Sequence, residues 1–156
     1  MLIRKWLVYS LLKSDMEHGS MPWTDVATSG GVLDPDRKKM FKSKGNVVTP
    51  LALLEQHGSD AVRYWAASAR LGADATFDEQ QMKDGRKLAI KILNASRFTL
   101  GMEAAPGEVT EPLDRSMLAT LAEAVREATD AFASYDHARV LDLTERFFWA
   151  FTDDSL

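Results

Sequence analysis

The chain has 156 residues, 46% hydrophobic and 27% charged, with a formal net charge of −4. That balance is ordinary for a folded domain and excludes a disordered chain. Cysteine is absent, and the three histidines (His18, His57, His137) lie far apart. Disulfide frameworks, thiolate sites and cysteine nucleophiles are therefore excluded, and no metal site is expected.

The charge is unevenly placed. Residues 1–102 carry 15 Lys and Arg against 11 Asp and Glu, whereas residues 103–156 carry 4 against 12. A polyanion should meet the first two thirds of the chain and be repelled by the tail. No apolar run approaches the roughly 20 residues that span a bilayer. The opening MLIRKWLVYSLLKSDMEHGS is interrupted by Lys13, Asp15 and Glu17 and lacks a small-residue cleavage site, so it does not read as a signal peptide. The expectation is a cytoplasmic protein without membrane contact.

Residues 3–17 place Ile3, Leu7 and Leu11 at helical spacing, with Val8 and Leu12 beside them, and Gly19 and Pro22 end that helix. The stretch WTDVATSGGVLD suggests one or two short strands broken at Gly30-Gly31. Residues 35–46, PDRKKMFKSKGN, have no apolar period and five cations, so they form an exposed loop. Thr49 as cap and Pro50 at the first helical position start a helix over 50–56, which ends at Gly58. Ser59 then caps a helix over about 60–70, with Val62, Trp65, Ala66 and Ala69 on one face.

Residues 71–78 read as a loop. A third helix runs from Glu79 to about Leu100. Met82, Ala89, Leu93, Ser96 and Leu100 follow its buried side, while Lys83, Lys87, Lys91 and Asn94 follow another. Two Gly and two Pro make 101–112 a linker. Two amphipathic helices close the chain. Residues 113–133 align Leu113, Met117, Leu121, Val125, Ala128 and Phe132. Residues 136–152, capped by Asp136, carry Val140, Leu141, Phe147, Phe148 and Phe151. The aromatic cluster with Trp149 reads as core rather than as a stacking platform. These last faces must pack on the middle helices or between chains, because so few helices seldom bury enough surface alone.

The loop Lys38-Lys39-Met40-Phe41-Lys42-Ser43-Lys44-Gly45-Asn46 carries the most chemical information. Closely spaced ammonium groups on a loop hinged at Gly45 suit a triphosphate and the charge that develops on leaving pyrophosphate. Ser43 and backbone amides add phosphate donors. By composition alone, a solvated basic loop is the commoner reading, because short basic runs are frequent.

The wider context resembles the class I valyl-tRNA synthetases. DPDRKKMFKSKGNVVTP resembles that family's KMSKS loop. LLEQHGSDAVRYWAASARLGADATFDE resembles its stem-contact region, and GRKLAIKILNASRF the first anticodon-domain helix. Upstream, IRKWL, MEHGSMPW and ATSGGVLDPDRKKM resemble the last part of its nucleotide-binding fold. Downstream, EPLDRSML and YDHARVLDLTERFFWAFTDD resemble anticodon-binding helices.

The resemblance implies a mainly α protein. A helical bundle of the class I anticodon-binding type (79–156) would follow stem-contact-like helices (49–78) and a remnant of the α/β catalytic domain with short strands (1–48). It implies that Lys39 and Lys42 stabilise adenylation, that Lys39, Lys42, Ser43 and Lys44 contact ATP, and that Asn46 sets the loop exit. Asp60, Arg63 and Trp65 would be mainly structural in the stem-contact region. Lys83, Arg86, Lys87, Lys91, Asn94 and Arg97 would face tRNA, with a merely solvated face as the alternative.

Phe41 stands where the family has the first Ser of its motif, and Gly31 where it usually has Trp. The HIGH motif, valine pocket, editing domain and most of the parallel sheet are absent from the resemblance. Positioning of this kind can contribute ~7–11 kcal/mol to lowering a barrier. The expectation is therefore a truncated valyl-tRNA synthetase-like protein, a relaxed paralogue or a fragment, that does not aminoacylate alone and holds no ATP tightly, with tRNA binding as the function it could retain. The alternative is an interaction module: a helix-swapped homodimer burying Leu121, Val125, Phe132, Phe147, Phe148 and Phe151, or a partner of an intact synthetase.

Overall fold

The structure is a computed structural model that describes residues 3–103 and 107–154, without the side chains of Ile3, Arg4 and Lys42. It is mainly helical. A π-helical turn over Ile3–Leu7 leads into α1 (Val8–His18). Gly19 closes α1 in the left-handed region at φ 62°, its N–H returning to the Asp15 carbonyl. Trp6 stacks on Trp23 at 5.7 Å between ring centroids, folding the next segment back against the N-terminal helix.

Strand β1 (Val32–Leu33) pairs in parallel with β2 (Ala75–Thr76), Val32 opposite Ala75 and Leu33 opposite Thr76. A single bridge links Ser29 to Leu71. The strand expected before Pro35 is thus present, but its partner lies in the segment read as a loop. A parallel pair requires a crossover, and α2 (Pro50–His57) and α3 (Ser59–Ala67) supply it. Trp65 fastens the crossover to the sheet, since its indole N–H donates to the Thr76 carbonyl at 3.2 Å and its ring meets Phe77.

The caps of these two helices differ from expectation. Thr49 occupies the cap position of α2 but makes no side-chain bond. Gly58, not Ser59, caps α3, at φ 85°. The inward face of α3 is broader than expected: Val62, Trp65 and Ala69 are half-buried as read, Ala61 is buried and Tyr64 half-buried beside them, and Ala66 is exposed. The core of this half is Leu53, Ala61 and Met82, with Val48, Val62, Trp65 and Phe77 packed around it.

Helix α4 (Glu79–Leu100) begins at Asp78, whose carboxylate accepts the amides of Gln80 and Gln81 at 2.8 and 3.2 Å. Only its first half is buried, through Met82, Gly85 and Leu88. Of the stripe expected to run inward, Ala89 is half-buried, but Leu93, Ser96 and Leu100 are exposed. That half is left open, bordering a groove toward the α2–α3 corner.

Helices α5 (Pro112–Ala133) and α6 (His137–Asp154) form a hairpin whose small core is Ala128, Ala131 and Val140. Asp136 starts α6 as expected, its Oδ1 accepting the Arg139 amide at 3.1 Å. The stripe anticipated on α5 is only partly covered. Met117 is half-buried and Ala128 buried, whereas Leu113, Leu121, Val125 and Phe132 remain exposed. On α6, Phe147, Phe148, Trp149 and Phe151 are half-buried, with Phe147 stacked on Phe151. Among the described residues, no helix is long and apolar enough to cross a membrane.

Candidate functional site

The cationic loop follows β1 directly. Asp34 is the residue that shapes it. Only 7% exposed, its Oδ1 accepts the Lys38 amide at 2.8 Å and its Oδ2 accepts Asn46 Nδ2 at 2.7 Å. The backbone closes the same turn, because the Asp34 amide donates to the Lys38 carbonyl and the Arg37 amide to the Asp34 carbonyl, both at 2.9 Å. Arg37 takes φ 62° to complete the reversal. These hydrogen bonds, Asn46 first and the Lys38 amide second, hold the Asp34 carboxyl below its usual value, against the opposing effect of burial.

Asn46 completes the far side. Its Oδ1 accepts the Phe41 amide at 2.9 Å, and its Nδ2 also donates to the Lys39 carbonyl at 3.2 Å. Residues 42–44 form one 3-10 turn, and Gly45 turns the chain outward at φ 66°. The Lys44 ammonium rests 5.2 Å from the centre of the exposed Phe41 ring. Lys39, Ser43 and Lys44 are exposed on this turn; the Lys42 side chain, to which the resemblance gives the same role as Lys39, lies outside the described residues. Sequence reasoning took Asn46 only as the exit of the loop and passed over Asp34. The available signal was an acid directly after a β-branched and apolar pair, followed by Pro35.

Gly31, where a Trp was expected from the resemblance, is exposed. Its N–H donates to Asp74 Oδ1 at 2.6 Å, and its carbonyl accepts the Ala75 amide at 2.9 Å. The Gly31 backbone, just before β1, is therefore tied to the Asp74 side chain and to the first residue of β2.

The second set of expected residues lies on α4. Lys83, Arg86, Lys87, Lys91, Asn94 and Arg97 are all exposed, and at ~100° per residue they occupy one side of the helix. Two of the lysines already have carboxylates near them: Lys83 to Glu79 at 3.1 Å and Lys87 to Asp84 at 3.4 Å. Arg86 borders a groove with Ile90, Leu93 and the α2–α3 corner. Among the described residues, no hydrogen bond or ion pair joins the loop to α4, so the sites form two separate cationic patches. Trp65 is buried in part and structural, while Asp60 and Arg63 are exposed.

A short parallel strand pair with a helical crossover, a cationic turn following the first strand and the helices α4, α5 and α6 define a mainly α protein with a small β element. Residues 2–78 match the family model described as tRNA synthetases class I (I, L, M and V). Through that segment the chain belongs to the class I tRNA synthetases. Within that class it is similar to valine--tRNA ligases along nearly its whole length: 62% identical to that of Thermobifida fusca and 58% identical to that of Salinispora tropica, in each case over 99% of this chain. It spans 18% of the length of the first and 19% of the second. A solved LeuRS–tRNA–LeuAMS complex from Agrobacterium radiobacter shares the fold, with TM-score 0.79 and 17% identity over 94% of this chain and 20% of that one.

Proposed function

We propose that this chain is the phosphate-loop and tRNA-contacting portion of a valine--tRNA ligase. The observation that carries the reading is the loop 38–46: three of its cations are described, exposed and held on one clasped turn at the end of a strand, within a sequence similar to valine--tRNA ligases over 99% of its length. Residues 1–48 correspond to the end of the catalytic domain, 49–78 to the stem-contact helices and 79–156 to the start of the anticodon-binding bundle. Lys39 and Lys42 stabilise charge developing on pyrophosphate, with Ser43 and Lys44 as further ATP contacts. Lys83, Arg86, Lys87, Lys91, Asn94 and Arg97 meet the tRNA backbone. These proposals concern a soluble cytoplasmic protein.

The chain alone does not form valyl-adenylate, because the loop supplies phosphate contacts but no second wall to fix adenine and the amino-acid carboxylate against them. Valine-dependent pyrophosphate exchange tests the point; exchange above background by the purified chain would overturn it. Binding of bulk tRNA at low salt tests the contact reading, and no association there would remove it.

A second reading rests on one observation. Leu118, Leu121, Val125 and Phe132 form an exposed apolar row on α5, 43%, 37%, 55% and 56% accessible. A row of that kind favours docking against another helix, in a second copy or a partner chain. Light scattering at tens of micromolar decides it, and a monodisperse monomer would end it.

A further inference from the structure

The loop's geometry rests on side chains that lie outside its run of lysines. Asn46 uses every atom of its amide. Its Oδ1 holds the Phe41 N–H, and its Nδ2 holds both the Lys39 carbonyl and the Asp34 carboxylate. Asp34 in turn holds the Lys38 N–H. Three consecutive anchor points, at 38, 39 and 41, are thus fixed through their backbones by two side chains twelve residues apart. Position 41 enters the clasp through its amide alone. Its ring points outward, 47% exposed, and meets only the Lys44 ammonium among the contacts described for the loop.

We infer that Asn46, seated on Asp34, is the positioning residue of the phosphate-facing loop, and that the side chain at 41 does not set its geometry. The inference rests on the functional reading above for its phosphate-binding consequence and on the clasp alone for its structural one. Phe41 is then compatible with a working loop, because a phenyl ring in place of a hydroxyl leaves every bond of the clasp in place. The lysines are presented by a turn that is already formed, so little ordering cost remains when an anion arrives.

Amide hydrogen exchange on the full chain separates the contributions. Asn46→Ala should speed exchange at Phe41 and Lys38 by about fivefold to tenfold, the loss expected for a hydrogen bond of ordinary strength. Phe41→Ser should leave exchange at position 41 within about twofold of the parent, since its amide bond is retained. Asn46→Asp alone places two carboxylates in contact and should be at least as damaging as the alanine variant. Adding Asp34→Asn restores a donor–acceptor pair and should recover protection at position 41, although not the bond to the Lys39 carbonyl.

ATP, titrated into the millimolar range and followed by amide shifts of the loop, gives the functional arm. Asn46→Ala should weaken the response by about the same factor as its exchange effect, Phe41→Ser should not, and the double swap should restore it. Loss of protection in Phe41→Ser, or none in Asn46→Ala, would overturn the inference. Absence of any ATP response in the parent chain would overturn the phosphate reading, while the exchange pattern would still decide the clasp.

Discussion

The Tyr64 hydroxyl donates to Glu145 Oε2 at 2.7 Å, joining α3 to α6 across 81 residues of sequence. Glu145 Oε1 accepts the Trp149 indole N–H at 3.0 Å, so one half-buried carboxylate serves both helices. The bond joins the terminal hairpin to the core of the first half. Tyr64→Phe removes the donor and keeps the ring. It should cost about 1–3 kcal/mol, the range for hydrogen bonds to a charged group and for groups left unsatisfied. Chemical denaturation reads that loss, and faster exchange of α6 amides than of α2 amides would locate it at the hairpin.

The same contact predicts a titration. Burial foremost, then the hydrogen bond and charge of Glu145 and the charge of Asp84, push the Tyr64 hydroxyl up to about 12. A group whose pKa is raised on folding favours the folded state fully below its unfolded value near 10. That contribution is lost as pH rises through about 12. Phenolate absorbance should show a late-titrating tyrosine that disappears in Tyr64→Phe. Stability should fall more steeply above pH 10 in the parent than in that variant.

Asp34 gives the opposite sign. Its carboxyl is held below the ordinary aspartate value by Asn46 and the Lys38 amide, so its contribution is present above that ordinary value and is lost as pH falls through the lowered one. Protection of the Lys38 amide should therefore persist at pH 4 and collapse only in stronger acid. In Asn46→Ala the collapse should move to higher pH, because the largest cause of the shift is gone. An unchanged midpoint would count against the clasp.

Two glycines admit the close approaches on which this architecture depends. A Cβ on Gly85 would stand 2.5 Å from both Cβ and Cγ of Tyr64. Alanine is favoured over glycine in a helix by about 1 kcal/mol, but the overlap should reverse that gain, since overpacking costs about 1–3 kcal/mol. Gly85→Ala should lower the melting temperature and also weaken the Tyr64–Glu145 bond. Near the loop, a Cβ on Gly30 would overlap the Ala73 carbonyl, which is backbone and cannot swing aside, whereas on Gly31 it would meet only the Asp74 carboxylate at 3.3 Å. Gly30→Ala should therefore be the more damaging of that pair, as thermal denaturation of the two variants would show.

How far the sequence foretold these relationships depended on the range over which each signal acts. The α4, α5 and α6 helices were legible because periodicity repeats over 18 residues or more. Strand β2 was not, because two residues, Ala75 and Thr76, carry no period and their partner lies 43 positions earlier. Ser59 resembled a cap by type, yet Gly58 at φ 85° makes the turn that Ser would make with strain. The lysines of the loop were visible as composition. The Asp34–Asn46 pair was not, since neither residue is distinctive until the chain folds back on itself.

The α4 cations differ in readiness to meet RNA, and that difference yields a graded expectation. Lys83 and Lys87 stand near Glu79 and Asp84 on their own helix. Exposed pairs of this kind are worth little, but each carboxylate must be displaced or tolerated when a phosphate approaches. Lys91 has no carboxylate within ion-pair distance among the described residues, and Arg97 lies further along the same side. Between about 50 and 200 mM salt, tRNA affinity should therefore fall steeply in the parent, and Lys91→Ala should reduce the slope of that fall by about 1. Lys83→Ala should reduce it by less, because Glu79 already partly neutralises that ammonium before a phosphate arrives. Filter binding at several salt concentrations measures both slopes. Equal effects of the two substitutions would mean that the carboxylates do not matter, and no effect of either would mean that this face of α4 does not carry the contact.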